Sequence, residues 1–183
     1  MVYVLLANGF EEVEALAPID FLRRCGVNVK TVSLTGTSVL GAHGIEVVAD
    51  TSLDSVDFSD AKMVILPGGM PGTTHLDECP RMTEILKTVY DQGGILTAIC
   101  AAPMVLGKRG YLQGKEAICY PGFEEYLSGA EISAKAVVCD GRIVTAKSAG
   151  VAWQFGYVLS ELLVGKETCE TVRKNLYLPP FGE

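Results

Sequence analysis

Apolar residues along this chain fall into short unbroken runs, separated by stretches in which they recur at helical spacing. Val2–Ala7 is such a run, the pattern of a strand buried on both faces. Ala15–Cys25 then reads as a helix stopped by Gly26. Val27–Ser33 alternates apolar and polar positions, as a strand does. Ser38–Asp50 reads as a hairpin or excursion around Gly41 and Gly44. Lys62–Leu66 is a strand running into Pro67-Gly68-Gly69. Arg81–Asp91 carries Met82, Ile85, Leu86 and Val89 on one helical face and stops at Gly93-Gly94. Ile95–Ile99 is the next strand. Ala136–Cys139 and Arg142–Ala146 flank Asp140-Gly141, a two-residue hairpin turn. Ala152–Val164 and Thr168–Leu176 are the last two helices. Strands alternating with helices through short connections predict a mostly parallel α/β sheet covered on both faces. With no internal repeat, low-complexity stretch or linker, residues 1–183 read as one domain.

Composition narrows the partners. The net charge of −7 and the absence of any basic run argue against nucleic-acid binding. No segment has the length of a membrane span, and Val2–Ala7 has no basic flank and runs into Glu11-Glu12, unlike an export signal. The six cysteines are scattered with no Cys-x-x-Cys pair, which favours free thiols in the cytoplasm over a disulfide framework. Two histidines, His43 and His75, offer no local spacing for a zinc site. The expected partners are small molecules or a second copy of the chain.

Candidate chemistry centres on Cys100, which ends Ile95–Ile99 and is followed by Ala101-Ala102-Pro103. Proline suits the first turn of a helix, so the stretch reads as strand, elbow and helix. An elbow holds one side chain clear of the sheet, next to helix N–H groups that favour a thiolate. Cysteine is also a common small apolar filler, and this segment alone leaves both roles open. Two further loops leave strand carboxyl ends, where open α/β sheets bind ligands: Asn8–Glu14 and Pro67–Gly72. Should their strands be neighbours, Glu14 brings a carboxyl, Cys100 a thiol, and the glycines a backbone free to present N–H groups. The glycine loop lacks the spacing of either a dinucleotide fingerprint or a P-loop, and by itself reads as a tight turn. Glu14 by itself reads as a solvated first-turn acid.

The segments "NGFEEVE" at 8–14, "VILPGG" at 64–69 and "AICAAP" at 98–103 resemble the ThiJ/PfpI superfamily, in the branch of the parkinsonism-linked deglycase and its bacterial relatives. "DFLRRCG" at 20–26 and the Ser148–Gly156 segment extend the similarity along nearly the whole chain. The resemblance implies a flavodoxin-like three-layer α/β sandwich of the class I glutamine amidotransferase type, usually a homodimer. It places Cys100 on the reactive cysteine and Glu14 on the glutamate that touches it. Gly69 and Ala101 fall on the oxyanion amides, with Gly68 and Tyr120 as auxiliary positions. Such a glutamate holds a proton, consistent with the repulsion two adjacent anions would suffer.

Departures from the family pattern matter. Ala101 stands where protease- and chaperone-type branches carry histidine, and no histidine follows His75, so a Cys–His peptidase is not expected. Relatives often carry a histidine before a proline near the cysteine, whereas here Tyr120 precedes Pro121. A phenol titrates at about 10 and cannot replace imidazole as a base at neutral pH. His43 falls where some relatives carry an arginine near the dimer contact, and its simplest role is that of a surface loop residue. His75 is expected to help a turn after the glycine loop, and Cys119 to be buried filler.

The function this implies is a cofactor-independent glyoxalase or deglycase using Cys100 and Glu14 on methylglyoxal, glyoxal or their early adducts. A redox sensor or protective chaperone acting through oxidation of Cys100 is the alternative. A thiazole-synthesis role, a label attached to such chains, finds no phosphate-binding motif here. No cofactor or metal is expected.

Overall fold

The structure, a computed structural model, describes residues 1–182. In chain order the strands and helices are β1 (Val2–Leu6), α1 (Glu12–Arg24), β2 (Val29–Ser33), β3 (Ser38–Leu40), β4 (Glu46–Val48), β5 (Thr51–Ser52), β6 (Met63–Leu66), α2 (Gly72–Glu78), α3 (Met82–Asp91), β7 (Ile95–Ile99), α4 (Pro103–Gly107), β8 (Glu116–Ala117), β9 (Glu131–Ile132), β10 (Val137–Asp140), β11 (Ile143–Ala146), α5 (Ala152–Val164) and α6 (Lys166–Asn175).

Seven strands form the central sheet in the order β10-β11-β7-β6-β1-β2-β5, parallel throughout except for the β10–β11 pair. Its five core strands, β2-β1-β6-β7-β11, have the 2-1-3-4-5 order of a flavodoxin-like sandwich. Connections leave β1 and β6 toward opposite sides, so a crevice opens at their carboxyl ends. The strands alternate between two cores. Val2, Val4 and Leu6 pack with Ala15, Ile19, Leu22, Phe155 and Leu159 of α1 and α5. Tyr3, Leu5 and Ala7 pack with Leu76, Ile85, Leu86 and Val105 of α2, α3 and α4. Burial on both faces explains the unbroken apolar runs. No helix among the described residues is long and apolar enough to cross a membrane.

Two local readings of the sequence are corrected. Helix α1 starts at Glu12 rather than Ala15, because the Glu11 carboxylate caps it by accepting from the Val13 N–H at 3.4 Å. Glu12 and Glu14 thereby enter its first turn, where acids suit the dipole. The late hairpin is shifted by one residue. Asp140 pairs with Ile143, so Gly141 and Arg142 form the turn, with Gly141 at φ +63°. Asp140 is held in the strand by Lys115 Nζ (3.1 Å) and the Glu116 N–H (3.0 Å). The β3–β4 hairpin lies within Ser38–Asp50, as the glycines predict.

Helix α1 is packed tightly against α5. Pro18 lies inside α1, where its missing N–H leaves the Glu14 carbonyl without the usual helical donor. A Cβ on Gly156 of α5 would sit 2.9 Å from Pro18 Cα, so only glycine permits this approach. That packing fixes how α1 presents Glu14 to the sheet edge.

Candidate active site

Strand register brings the three loops together. β6 and β7 are neighbours with Leu66 opposite Ala98, and β1 borders β6 with Val4 opposite Ile65. Pro67-Gly68-Gly69 and Cys100 therefore leave adjacent strand ends, and the β1 loop folds back over them through a Glu11 N–H to Gly68 carbonyl bond of 2.9 Å.

Cys100 has φ +65°, a left-handed conformation that costs a non-glycine residue about 1–3 kcal/mol. The surroundings hold it there. Its N–H donates to the Ala146 carbonyl at 2.9 Å, and its carbonyl accepts from the Tyr120 N–H at 2.8 Å. The elbow predicted from the sequence is present, with Pro103 in the first turn of α4. Glu14, 1% exposed, reaches the sulfur from α1 and is hydrogen-bonded with it. Glu14 Oε2 also accepts from the Gly68 N–H at 3.0 Å, and the Ala149 N–H serves the same carboxyl. A Cβ on Gly68 would lie 2.6 Å from Glu14 Oε2 and 2.7 Å from Cys100 Cβ, so glycine there is a condition of the Glu14–Cys100 approach. The backbone N–H groups of Ala101 and Gly69 both face the sulfur.

Electrostatics departs from the expectation of a thiolate favoured by the helix terminus. Burial, then the negative charge of Glu14, push the Cys100 thiol up to about 12, against the opposing Ala101 and Gly69 N–H groups. Helix α4 has only five residues, too few to offset a neighbouring carboxylate. Burial likewise raises Glu14 to about 7. The two groups are coupled, and each holds its proton to a higher pH than when free, so over a wide range they carry one proton between them. When it resides on Glu14, the Coulombic cause of the thiol's rise is gone and the N–H groups stabilise the thiolate.

The pair opens onto a cleft of about 400 Å³ lined by Glu11, Glu14, His43, Gly69, Cys100, Tyr120 and Ser148–Gly150. Tyr120 stands on its wall with its side chain half exposed. Three groups there were not among the site residues expected from sequence: His43, Glu11 and Ser148–Gly150. Glu11 belongs to the "NGFEEVE" motif and Ser148 opens a segment already noted for its similarity, so both left a signal. His43 is an exposed loop residue, as expected, and its loop also borders the cleft. Its Nδ1 lies 2.9 Å from Glu12 Oε2 and 3.1 Å from Glu11 Oε2. Glu12, although 3% exposed, is satisfied by the His43 N–H at 2.8 Å and the Ile45 N–H at 3.4 Å, which bring the β3–β4 connection over α1. Glu11, Glu12 and His43 come close enough to surround an ion, but their hydrogen bonds already engage both Glu12 oxygens.

Other candidates fall elsewhere. His75, on α2, bonds the Asn8 carbonyl through Nδ1 at 2.8 Å and ties two loops together, as a turn-supporting residue should. Cys119 is 1% exposed and packs in the core beneath the site. A larger cleft of about 570 Å³ beside His75, Cys79 and Arg81 includes neither Cys100 nor Glu14.

Comparison with known proteins agrees with this fold. Residues 1–162 match the DJ-1/PfpI family. The chain is 36% identical over 176 residues to protein dj-1beta of Drosophila melanogaster, covering 94% of each. It is 33% identical over 169 residues to a Caenorhabditis elegans protein named glutathione-independent glyoxalase DJR-1.2, covering 92% of this chain and 90% of that one. The crystal structure of Drosophila DJ-1beta superposes with a TM-score of 0.93 over 98% of both chains at 35% identity.

Proposed function

This chain belongs to the DJ-1/PfpI family, and from that premise we propose that it is a cysteine-dependent, cofactor-independent glyoxalase or deglycase acting on methylglyoxal, glyoxal or their early adducts. The observation that carries this reading is the contact of buried Glu14 with Cys100, with the Ala101 and Gly69 N–H groups around the sulfur. The family includes a glyoxalase-named relative. In the state with the proton on Glu14, the Cys100 thiolate attacks the aldehyde carbon, C1. The S–C1 bond forms, and the carbonyl π pair moves to the oxygen, held by the Gly69 and Ala101 amides. Glu14 delivers its proton to that oxygen, giving a hemithioacetal and a carboxylate placed to remove the C1 proton. The electron pair left at C1 forms an enediolate with C2, and reprotonation at C2 leaves a thioester. Water then cleaves the S–C1 bond and releases a 2-hydroxy acid, lactate from methylglyoxal.

The unit that performs this is proposed to be a cytoplasmic homodimer. Val13, Leu16, Ile45 and Val48 supply exposed apolar surface on α1 and the neighbouring β3–β4 hairpin, and all six cysteines are free thiols. The test is lactate formation from methylglyoxal by wild type and Cys100→Ala. Wild-type turnover that Cys100→Ala abolishes supports the proposal. Equal lactate from both chains overturns the mechanism.

A second reading rests on the same two amides, which would hold the oxygens of an oxidised sulfur as readily as an alkoxide. Intact-mass analysis after mild peroxide addresses it. Oxygen added at Cys100 alone, in a chain without lactate turnover, supports a redox sensor; no addition there removes that reading.

A further inference from the structure

The reaction just described moves two protons, not one. Going from hemithioacetal to thioester, the C1 hydrogen must reach C2, and the hydroxyl proton on the C1 oxygen must reach the C2 oxygen. Glu14 accounts for the carbon-to-carbon transfer. Its second oxygen is occupied by the Gly68 N–H, and burial isolates it from solvent. A separate acid–base group is needed for the oxygens. Tyr120, in the position before Pro121 where relatives often carry a histidine, offers a phenol in place of an imidazole.

Resting on the glyoxalase reading, we propose that His43, oriented by Glu12, is the catalytic residue that carries the oxygen-to-oxygen proton and afterwards activates the hydrolytic water. Three observations converge on it. His43 lines the same cleft as Cys100 and Glu14. Its Nδ1 is anchored on Glu12 and Glu11, which fixes the ring and leaves Nε2 without a protein partner among the described residues. The connection that carries it is shaped around the Glu12 carboxylate, since a Cβ on Gly41 would lie 2.2 Å from Glu12 Oε1. A carboxylate behind an imidazole is the arrangement that orients a general acid–base histidine.

The charged and titratable groups about the ring are Glu11 and Glu12 from the start of α1, with Glu14, Cys100 and Tyr120 around the cleft. The Glu12 hydrogen bond and both carboxylates raise the His43 pKa, so the ring stays protonated to a higher pH than a free imidazole. In the isomerisation, protonated His43 gives its Nε2 proton to the C2 oxygen as the C2=O π pair arrives there. The neutral ring then takes the hydroxyl proton from the C1 oxygen as the thioester carbonyl forms, so the charge on the ring is restored. For hydrolysis the ring first releases its proton to solvent; neutral Nε2 then takes a proton from water as the water oxygen bonds C1, the S–C1 bond breaks with its electron pair on sulfur, and the ring passes the proton to that sulfur.

The experiment compares wild type, Cys100→Ser, His43→Asn and Glu12→Gln with methylglyoxal, following adduct mass, lactate release and the pH profile of kcat. His43→Asn is expected to form the Cys100 adduct at the wild-type rate but to release lactate about 10²-fold more slowly, with one limb of the pH profile gone. Glu12→Gln is expected to keep that limb but move it to lower pH, because the imidazolium loses its carboxylate. Wild-type kcat and an unchanged profile in His43→Asn overturn the proposal while leaving the glyoxalase reading intact. Absence of Cys100-dependent lactate from wild type overturns both.

Discussion

Replacing Glu14 by glutamine tests the central electrostatic claim without touching the cysteine. Glutamine has the same shape, accepts from the Gly68 N–H as the carboxylate does at 3.0 Å, and cannot ionise. In the fold, burial raises the Glu14 carboxyl from the usual 4.5 to about 7, whereas the unfolded chain ionises at the ordinary value. Between those pH values the native state binds more protons than the unfolded one, so stability falls as pH rises through that window. At about 1.4 kcal/mol per pH unit of difference, the ionised carboxylate costs the fold on the order of 3 kcal/mol above neutrality. Glutamine avoids this cost. With a urea slope of about 2 kcal/mol/M for a chain of this size, Glu14→Gln should raise the denaturation midpoint by about 1.5 M at pH about 8 and by little at pH about 4.5. Carboxylates such as Asp77, held below the usual range by Lys108 and Arg109, contribute stability that is lost in acid, but equally in both chains. Their effect cancels in the difference. The assay is urea unfolding by circular dichroism across that pH range, with lactate formation measured alongside. A variant no more stable than wild type at pH about 8 would refute the reasoning, because the charged carboxylate would then carry no burial cost.

Three other expectations follow from the geometry. Gly68→Ala places a Cβ 2.6 Å from Glu14 Oε2; it should cost about 1–3 kcal/mol by thermal melting and lower kcat/KM by about 10²-fold, and near-wild-type values for both would mean the pair is not so closely set. Tyr120→Phe keeps the backbone N–H that holds the Cys100 carbonyl and should leave kcat within about threefold, under about 1 kcal/mol of barrier, whereas a loss beyond tenfold would give the phenol a chemical role. Light scattering should show a dimer that Val48→Asp weakens, since Val48 is 76% exposed in a single chain and charge is costly in an apolar interface; unaltered dimer mass would place the interface elsewhere.

Some of the site could be read directly from the residue order. Unbroken runs such as Val2–Leu6 and Met63–Leu66 announce strands covered on both faces, because a parallel sheet leaves neither face to water. Ile95–Ile99, Cys100 and Pro103 likewise spell out strand, elbow and helix, since each feature is a local backbone requirement. The helix start at Glu12 and the shifted Gly141-Arg142 turn were less legible. Each depends on a side-chain partner, the Glu11 cap in one case and the bonds from Asp140 to Lys115 and Glu116 in the other.

The alternation of runs determined the α/β class, and three short motifs placed Cys100, Glu14 and the glycines at strand ends. Only the tertiary structure decided what those groups do to one another. The Cys100 thiol rises to about 12, rather than falling as its helix position suggests, because burial and a carboxyl from a distant helix outweigh five residues of dipole. His43 has no telling neighbour in sequence; it enters the cleft because Glu12, 31 residues away, draws its loop over α1. Backbone preference is local and is written in the order of residues, whereas desolvation and charge proximity depend on which distant segments the sheet brings together.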